Sequence, residues 1–164
     1  MFEGEYLNGE RNGKGKGYHP NLRGTTLFYE VEYLNGKLNG KVKEYYEKGE
    51  LLFEGEFLDG EEKGIVKKYH SNGKLKFEGE FLNGYFWNGK GYNKEGNIEF
   101  EVKNGNGNIK EYNYRDQLIF EGECLNGKRN GKGKEYDSEG NLVYDGEYLN
   151  EESMEKEKDI MKVN

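Results

Sequence analysis

Apolar and charged residues alternate along the chain in short runs, which Asn-Gly and other glycine-containing pairs separate. In the run Phe120–Leu125 (FEGECL), a ring or small apolar side chain alternates with glutamate. Alternation with a period of two predicts a β-strand with one buried face and one wet face. Residues 126–131 supply two Asn-Gly pairs, which favour the positive φ angles of a hairpin turn. Because 132–137 then predicts a returning strand, the segment is expected to form one β-hairpin.

This pattern recurs along the chain at intervals of about 24 residues, which is the mark of a repeat architecture. The regular copies are 29–52, 53–76, 77–99 and 120–143; less regular copies are 2–28 and 100–119, and a partial copy starts at 144. Each unit of such an array packs on its neighbours. The predicted fold is therefore all-β, a single-layer antiparallel meander of stacked hairpins over 1–150. The charged segment 151–164 that follows is predicted to be a short helix or tail.

The composition fits an ordered sheet without a deep core. Only 32% of the residues are hydrophobic, but 15% are aromatic, with 14 Tyr and 9 Phe. Each ring can bury roughly 150–250 Å², so a few of them can hold a thin sheet. Gly55, Gly79 and Gly122 stand midway between two aromatic positions. We interpret these glycines as space for rings that lie across the sheet.

The charge and the cysteine content limit the classes of function. The net charge of -7 argues against a nucleic-acid partner and disfavours anionic lipid. Cys124 is the sole cysteine, which excludes an intramolecular disulfide and a cysteine-rich metal site. No apolar run has the length of a signal peptide or a membrane span. A soluble cytoplasmic protein is the expectation.

Paired carboxylates such as Glu54/Glu56 recur once per repeat, whereas a catalytic pair is needed only once. We predict that they form cross-strand ion pairs with lysines of the returning strands. His19 and His70 are predicted to be surface residues, since neither has a partner at metal-ligand spacing. The glycine-rich stretches lack the phosphate-loop motif. The sequence therefore predicts neither an enzyme nor a bound metal or cofactor.

Three consecutive aromatic residues, Tyr85, Phe86 and Trp87, stand at a predicted hairpin tip where the sibling repeats carry charge. Two interpretations are open. The rings could pack on the fifth repeat, 100–119, which has lost about four residues from its tip. Alternatively, they could be an exposed anchor for a partner, because Trp and Tyr dominate interface hot spots.

The spacing Phe53-x-Gly55-x-Phe57, followed by Gly60, Gly64-x-Val66 and Tyr69, resembles the MORN repeat (membrane occupation and recognition nexus). The resemblance extends over about 150 residues. It departs at the second aromatic position, where Phe, Tyr or, at position 124, Cys stands in place of the usual Trp. It implies an elongated, twisted sheet with an aromatic-lined groove and a non-catalytic scaffold role in cytoskeletal or ciliary assemblies. The Asn-Gly-Lys-Leu turns also look like a bacterial variant found in proteins labelled as antitoxin components.

The leading hypothesis is a scaffold that binds a protein partner, or a second copy of itself, through the aromatic groove and the sheet edges. The candidate partner-binding residues are Tyr33, Tyr45, Phe57, Tyr69, Phe81, Tyr85, Phe86, Trp87 and Tyr136. One alternative is a phosphoinositide or membrane-surface module that uses lysine-rich tips such as Lys128 and Arg129. The other alternative is a bacterial antitoxin or immunity protein.

Overall fold

The computed structural model describes residues 1–21, 24–113 and 115–154, which form fourteen β-strands and no α-helix. The strands are β1 (Phe2–Leu7), β2 (Glu10–Asn21), β3 (Gly24–Leu34), β4 (Lys37–Tyr45), β5 (Leu51–Leu58), β6 (Glu61–Tyr69), β7 (Leu75–Leu82), β8 (Tyr85–Tyr92), β9 (Ile98–Lys103), β10 (Asn106–Tyr112), β11 (Leu118–Leu125), β12 (Lys128–Tyr136), β13 (Leu142–Leu149) and β14 (Glu152–Ser153). The predicted all-β, antiparallel hairpin fold is confirmed.

The chain divides into two compact units. The first unit contains Met1–Phe81 and Lys94–Gly96, and the second contains Leu82–Asn93 and Asn97–Asn164. Within each unit the strands are hydrogen-bonded in sequence order, β1 to β7 in the first and β8 to β14 in the second. Within a unit, each hairpin thus lies beside the hairpin that follows it in sequence.

The hairpins close through two-residue turns in which both residues have positive φ. Asn35 and Gly36 have φ of 49° and 78°, and Asn126 and Gly127 have φ of 53° and 80°. These are the angles of a turn whose twist matches the flanking strands. The second residue of a turn also reaches the preceding hairpin, since Gly36 N donates to Arg11 O of β2 at 2.9 Å. The Asn-Gly prediction of hairpin tips is therefore confirmed.

The partial seventh repeat also forms a hairpin. Asn150 and Glu151 have φ of 51° and 81°, so the glutamate takes the position that glycine has in the other turns. This turn reverses the chain, and Ser153 pairs with Tyr148. The alternative of a helix that begins at 151 is thus wrong for residues 151–153, which form the second turn residue and β14. Residues 155–164, the rest of that predicted segment, lie outside the described residues.

Strand alternation gives each unit an apolar face and a charged face. Phe53, Gly55 and Phe57 lie on the apolar face of β5, and Glu54 and Glu56 lie on its charged face. The buried hydrophobic residues are Val31, Val42, Phe53, Val66 and Phe77 in the first unit and Phe100, Val102, Ile109, Phe120, Cys124 and Tyr148 in the second. A Cβ at Gly55 would lie 2.9 Å from Phe53 Cζ, which confirms that this glycine makes room for a ring. A Cβ at Gly122 would lie 2.8 Å from Phe120 Cζ and 2.6 Å from Gly133 Cα of the facing strand.

A bulge in each regular returning strand adds two residues between the tip and the centre of the hairpin. In β12, for example, Gly133 pairs with Gly122 and Arg129 pairs with Cys124, so three residues oppose one. Gly131 lies in this bulge with a φ of 90°. A glutamate of the first strand caps the bulge of the returning strand. In the second hairpin, Glu32 Oε2 of β3 accepts a hydrogen bond from Lys41 N of β4 at 3.1 Å.

The two histidines have different environments. His19 is exposed, and its ring centre lies 4.2 Å from that of Phe28. His70 is only 1% exposed, so the prediction of a surface histidine is wrong there. It begins the turn after β6, where its N–H donates to Lys74 O and its carbonyl accepts from Gly73 N, both at 2.8 Å. The imidazole of His70 is therefore buried although the residue stands at the start of a turn.

Candidate partner-binding surfaces

Three of the predicted groove residues lie on the charged face. The hydroxyl groups of Tyr45 and Tyr69 donate to Glu30 at 2.7 Å and to Glu54 at 2.6 Å. In the second unit, Tyr136 donates to Glu121 at 2.7 Å. Burial, followed by the hydrogen bond to the carboxylate, raises the pKa of Tyr45 and of Tyr69 to about 12. For Tyr136 the hydrogen bond is the larger cause, and it raises the pKa to about 12.

The other three predicted groove residues of the first unit lie on the apolar face. The ring of Phe57 packs edge-on against Phe53 at 6.3 Å between centres, and Phe81 packs in the same way against Phe77 at 5.4 Å. The hydroxyl of Tyr33 accepts from Arg11 at 3.0 Å. The prediction of one groove lined by all these aromatic residues is therefore wrong.

The physical reason is the alternation of side chains between the two faces along the returning strand. Glu44 opposes Phe53 and shares the apolar face with it, so the next residue, Tyr45, points to the charged face. A tyrosine can lie there because its hydroxyl reaches a carboxylate. Partner binding by the residues of either face stays a prediction.

The recurring glutamates have structural partners. The first glutamate of each pair lies in a row with lysines, as in the ion pairs Lys16–Glu30 at 2.8 Å and Lys67–Glu78 at 3.4 Å. The predicted cross-strand ion pairs are thus confirmed. Lys16 and then Tyr45 hold the pKa of Glu30 below its usual value through hydrogen bonds to the carboxylate. In the described part of the chain, no group of three or more His, Cys, Asp or Glu side chains is placed to hold a metal ion.

Arg129 holds a half-buried ionic cluster on the apolar face of the second unit. Its guanidinium lies 4.1 Å from the centre of the Phe120 ring. It contacts Glu111 of β10 at 2.6 Å and Glu135 of β12 at 2.5 Å. The side chain of Arg129 is only 17% exposed, and the two carboxylates accept hydrogen bonds from this half-buried cation.

Arg11 occupies the same position in the first hairpin but has no carboxylate. Its guanidinium lies 4.1 Å from the centre of the Phe2 ring and 5.4 Å from that of Tyr33. Hydrogen bonds to Tyr33 and then to Tyr6 raise the pKa of Arg11. Among the described residues it forms no ion pair. Arg11 is thus a cation held among aromatic rings at the edge of the first unit.

The three consecutive aromatic residues begin β8 and are all half-buried. The ring centre of Phe86 lies 5.8 Å from that of Phe100. Trp87 lies over the tip of the shortened fifth hairpin, where a Cβ on Gly105 would be 2.7 Å from Trp87 Cζ3. Gly105 N also donates to Trp87 O at 2.8 Å. The structure thus places Trp87 as the first of the two interpretations expects.

Sequence reasoning missed the leucine that precedes each regular hairpin turn. We call these residues the tip leucines: Leu7, Leu34 and Leu58 in the first unit and Leu82, Leu125 and Leu149 in the second. In the first unit they are 57%, 48% and 45% exposed. They lie on the charged face, two residues beyond a glutamate of the same strand. The recurring Leu-Asn-Gly sequence held this signal, because alternation puts its leucine on the glutamate side.

A family model described as a MORN repeat variant matches three segments of the chain, 38–59, 62–83 and 129–150. Each match begins just after one hairpin tip and runs to the next. None of the curated proteins matches the chain. In residues 1–21, 24–113 and 115–154, no helix is long and apolar enough to cross a membrane.

Proposed function

This chain carries MORN repeats of the variant type, and we propose that it is a non-catalytic scaffold that binds a protein partner along its tip leucines. The observation that carries the proposal is the row of three half-exposed leucines in the first unit, Leu7, Leu34 and Leu58. Charged residues such as Glu10 and Lys37 pair with these leucines, so the row offers a partner regularly spaced apolar contacts between charged side chains.

The spacing of the row suits an amphipathic helix. Successive tip leucines stand two strands apart, which is roughly 9.5 Å in a sheet. Seven residues of an α-helix span roughly 10.5 Å, so a helix laid across the strands would meet each leucine once per heptad. The charged face beside the row offers Lys and Glu side chains to the polar flank of such a helix.

The non-catalytic part of the proposal is supported by the use of the carboxylates. Glu30 is engaged by Lys16 and Tyr45, and Glu32 caps a bulge. A general acid or base needs a carboxylate that is free to exchange a proton with substrate. The repeated pairs serve the sheet instead.

The test is capture of a partner from native extract by the full chain, with Leu34→Ser/Leu58→Ser as the test variant. The matched control is Leu142→Ser/Val143→Ser, which removes two apolar side chains that are 52% and 59% exposed at the other end of the hairpins. We expect a stoichiometric protein to bind the wild type and the control and to be lost from the test variant. Equal capture by both variants would contradict the role of the tip leucines.

Flotation with anionic liposomes provides the second arm. A lipid-binding module would float with them at low salt and be released at high salt. Salt-sensitive flotation without any variant-dependent protein partner would overturn the scaffold proposal in favour of membrane-surface binding.

A further inference from the structure

The outer edge of β1 is an open strand edge in the described structure. Among the described strands, β1 pairs with β2 alone. Residues 3–7 of this strand are all exposed. An unpaired edge presents a row of backbone donors and acceptors to any extended segment that fits its side chains.

The second unit shows which neighbour a strand of this type has on that side. β11 corresponds to β1 residue by residue, since Glu121 pairs with Lys134 as Glu3 pairs with Lys16. β11 has a further neighbour, β10, on the side where β1 is open. The contacts between β10 and β11 are therefore a pattern for the strand that would fit on β1.

Three contacts of β10 define that pattern. Lys110 opposes Glu121, with 3.9 Å between Nζ and Oε2. Ile109, which is 2% exposed, opposes Gly122 on the apolar face. Glu111 reaches across β11 to Arg129 at 2.6 Å. The order apolar, lysine, acid along β10 thus satisfies a glutamate on one face and an arginine on the other.

The first unit has the matching groups without that neighbour. Glu3 stands in the place of Glu121, Gly4 in the place of Gly122, and Arg11 in the place of Arg129. Both arginines lie 4.1 Å from the centre of the corresponding ring, Phe2 or Phe120. Gly17 of β2 takes the place of Glu135 of β12, since they pair with Phe2 and Phe120 respectively. Arg11 therefore also lacks the carboxylate that Arg129 has within its own hairpin.

We propose that the outer edge of β1 binds an extended segment of a partner protein with the order apolar, Lys, Glu, which places its lysine on Glu3 and its glutamate on Arg11. This inference rests on the proposed scaffold function and names the chemistry of a second contact. The new strand pairs antiparallel to β1. Its carboxylate neutralises a guanidinium that is already positioned by Phe2 and Tyr33, so little side-chain entropy is lost on binding.

A second copy of this chain fits the edge poorly. Two β1 strands paired antiparallel would place Glu3 and Glu5 of one copy beside those of the other. The outer edge of β13 carries Asp145 and Glu147 beyond the two positions that β14 covers. Either pairing puts acid against acid, which destabilises a cross-strand pair. Compared with a second copy, a lysine-bearing strand of another protein matches the charges of Glu3 and Arg11.

The test uses the full chain and a synthetic peptide with the sequence of residues 107–113, Gly-Asn-Ile-Lys-Glu-Tyr-Asn, acetylated and amidated. Binding is followed by amide chemical shifts of the ¹⁵N-labelled protein. We expect shifts in residues 2–7 and at the Arg11 side chain. A control peptide with Lys and Glu exchanged should bind roughly tenfold more weakly, because it opposes like charges on both faces.

Two variants complete the design. Arg11→Gln should weaken the binding of the peptide roughly tenfold, which is the usual effect of losing a charge-assisted hydrogen bond. Glu3→Lys should bring the two peptides to similar affinity, because each of them then opposes one like and one opposite charge. The first peptide should bind it more weakly than it binds the wild type, and the exchanged peptide more tightly, whereas a misfolded variant would bind neither. Shifts spread over other strands, or equal binding of the two peptides to the wild type, would overturn the inference.

The outcomes separate this inference from the proposed function. If the peptide leaves β1 unshifted while the tip-leucine variant still loses its partner, the edge site is wrong and the scaffold function stands. If light scattering instead shows a dimer whose dissociation constant is altered by Glu3→Lys, the occupant is a second copy, and the inference of a foreign strand is overturned.

Discussion

The indole of Trp87 lies so close to Gly105 that a methyl group on this glycine would be 2.7 Å from Trp87 Cζ3. Gly105 N donates to Trp87 O at 2.8 Å, and Gly105 O accepts from Gly127 N at 2.7 Å. The turn of the shortened hairpin is thus hydrogen-bonded to the strand before it and to the turn after it, and the ring of Trp87 covers its tip. The aromatic residues of the fourth repeat and the missing residues of the fifth are one structural feature.

We predict that Gly105→Ala destabilises the chain much more than Gly140→Ala. Both glycines have positive φ, 72° and 86°, so each substitution costs roughly 1–2 kcal/mol of backbone strain. Gly140 has open space around it, whereas Gly105 would also push on Trp87 and on the backbone of Gly127. We expect a total of roughly 3 kcal/mol or more for Gly105→Ala in urea unfolding. Equal losses in the two variants would show that the ring does not pack there.

Much of the fold could be predicted from the sequence because its signals are local. Asn126-Gly127 requires only a two-residue turn with positive φ, and Gly122 makes room for the ring of Phe120 and for the backbone of the facing strand. The repeat period then carries each local prediction to the other hairpins. These residues are specified by neighbours in the same hairpin.

The predictions that failed depended on relations between strands. The face on which Tyr45 lies follows from its register with β5, and the sequence alone gave no reason to separate it from Phe57. The burial of His70 depends on how its turn closes. The tip leucines were overlooked because leucine is usually assigned to a core. They are exposed because they lie on the same side of the strand as the glutamates.

Arg129→Met is predicted to destabilise the chain more than Arg11→Met. The first substitution leaves Glu111 and Glu135 half-buried beside each other without their cation, which we expect to cost roughly 2 kcal/mol after allowance for their partial exposure. The second removes a cation that has aromatic contacts alone, and the Met side chain retains much of that packing. Urea unfolding of the two variants at equal salt measures the difference.

The salt dependence of the free energy of unfolding shows whether the loss in Arg129→Met is ionic or due to packing. Repulsion between Glu111 and Glu135 in Arg129→Met is screened at high ionic strength, so the gap between the variants should narrow there. A gap that is unchanged in high salt would assign the loss to packing on Phe120, and the ionic cluster would not be the stabilising feature.

The stability of the sheet is predicted to fall at alkaline pH as the tyrosines of the charged face lose their protons. The pKa of Tyr45, Tyr69 and Tyr136 is raised to about 12, against about 10 for a free phenol. A group whose pKa is higher in the folded state contributes stability that is complete below its unfolded pKa. That contribution is lost as the pH rises from about 10 through about 12. Phenolate absorbance and circular dichroism during a titration measure both events.

Glu54→Gln tests the cause of the shift at Tyr69. Burial is the first cause of its raised pKa, and the hydrogen bond to Glu54 is the second. The variant should therefore lower the pKa of Tyr69 while keeping it above that of a free phenol. Tyr69→Phe identifies the titration step that belongs to this residue. A Tyr69 step that is identical in Glu54→Gln and the wild type would exclude the carboxylate as a cause.

Cys124 is predicted to be an unreactive thiol in the folded chain. It stands where other repeats have the second aromatic residue, and it is 6% exposed on the apolar face. Burial raises its pKa to about 11, so at pH 8 its thiolate fraction is more than about a hundredfold below that of a free cysteine. Reaction with an aromatic disulfide reagent should be slow in native buffer and fast in denaturant. Ile65→Cys in a Cys124→Ser background provides the exposed comparison, since Ile65 is 62% exposed. If native Cys124 reacts as fast as that engineered thiol, the apolar face at β11 is open rather than packed.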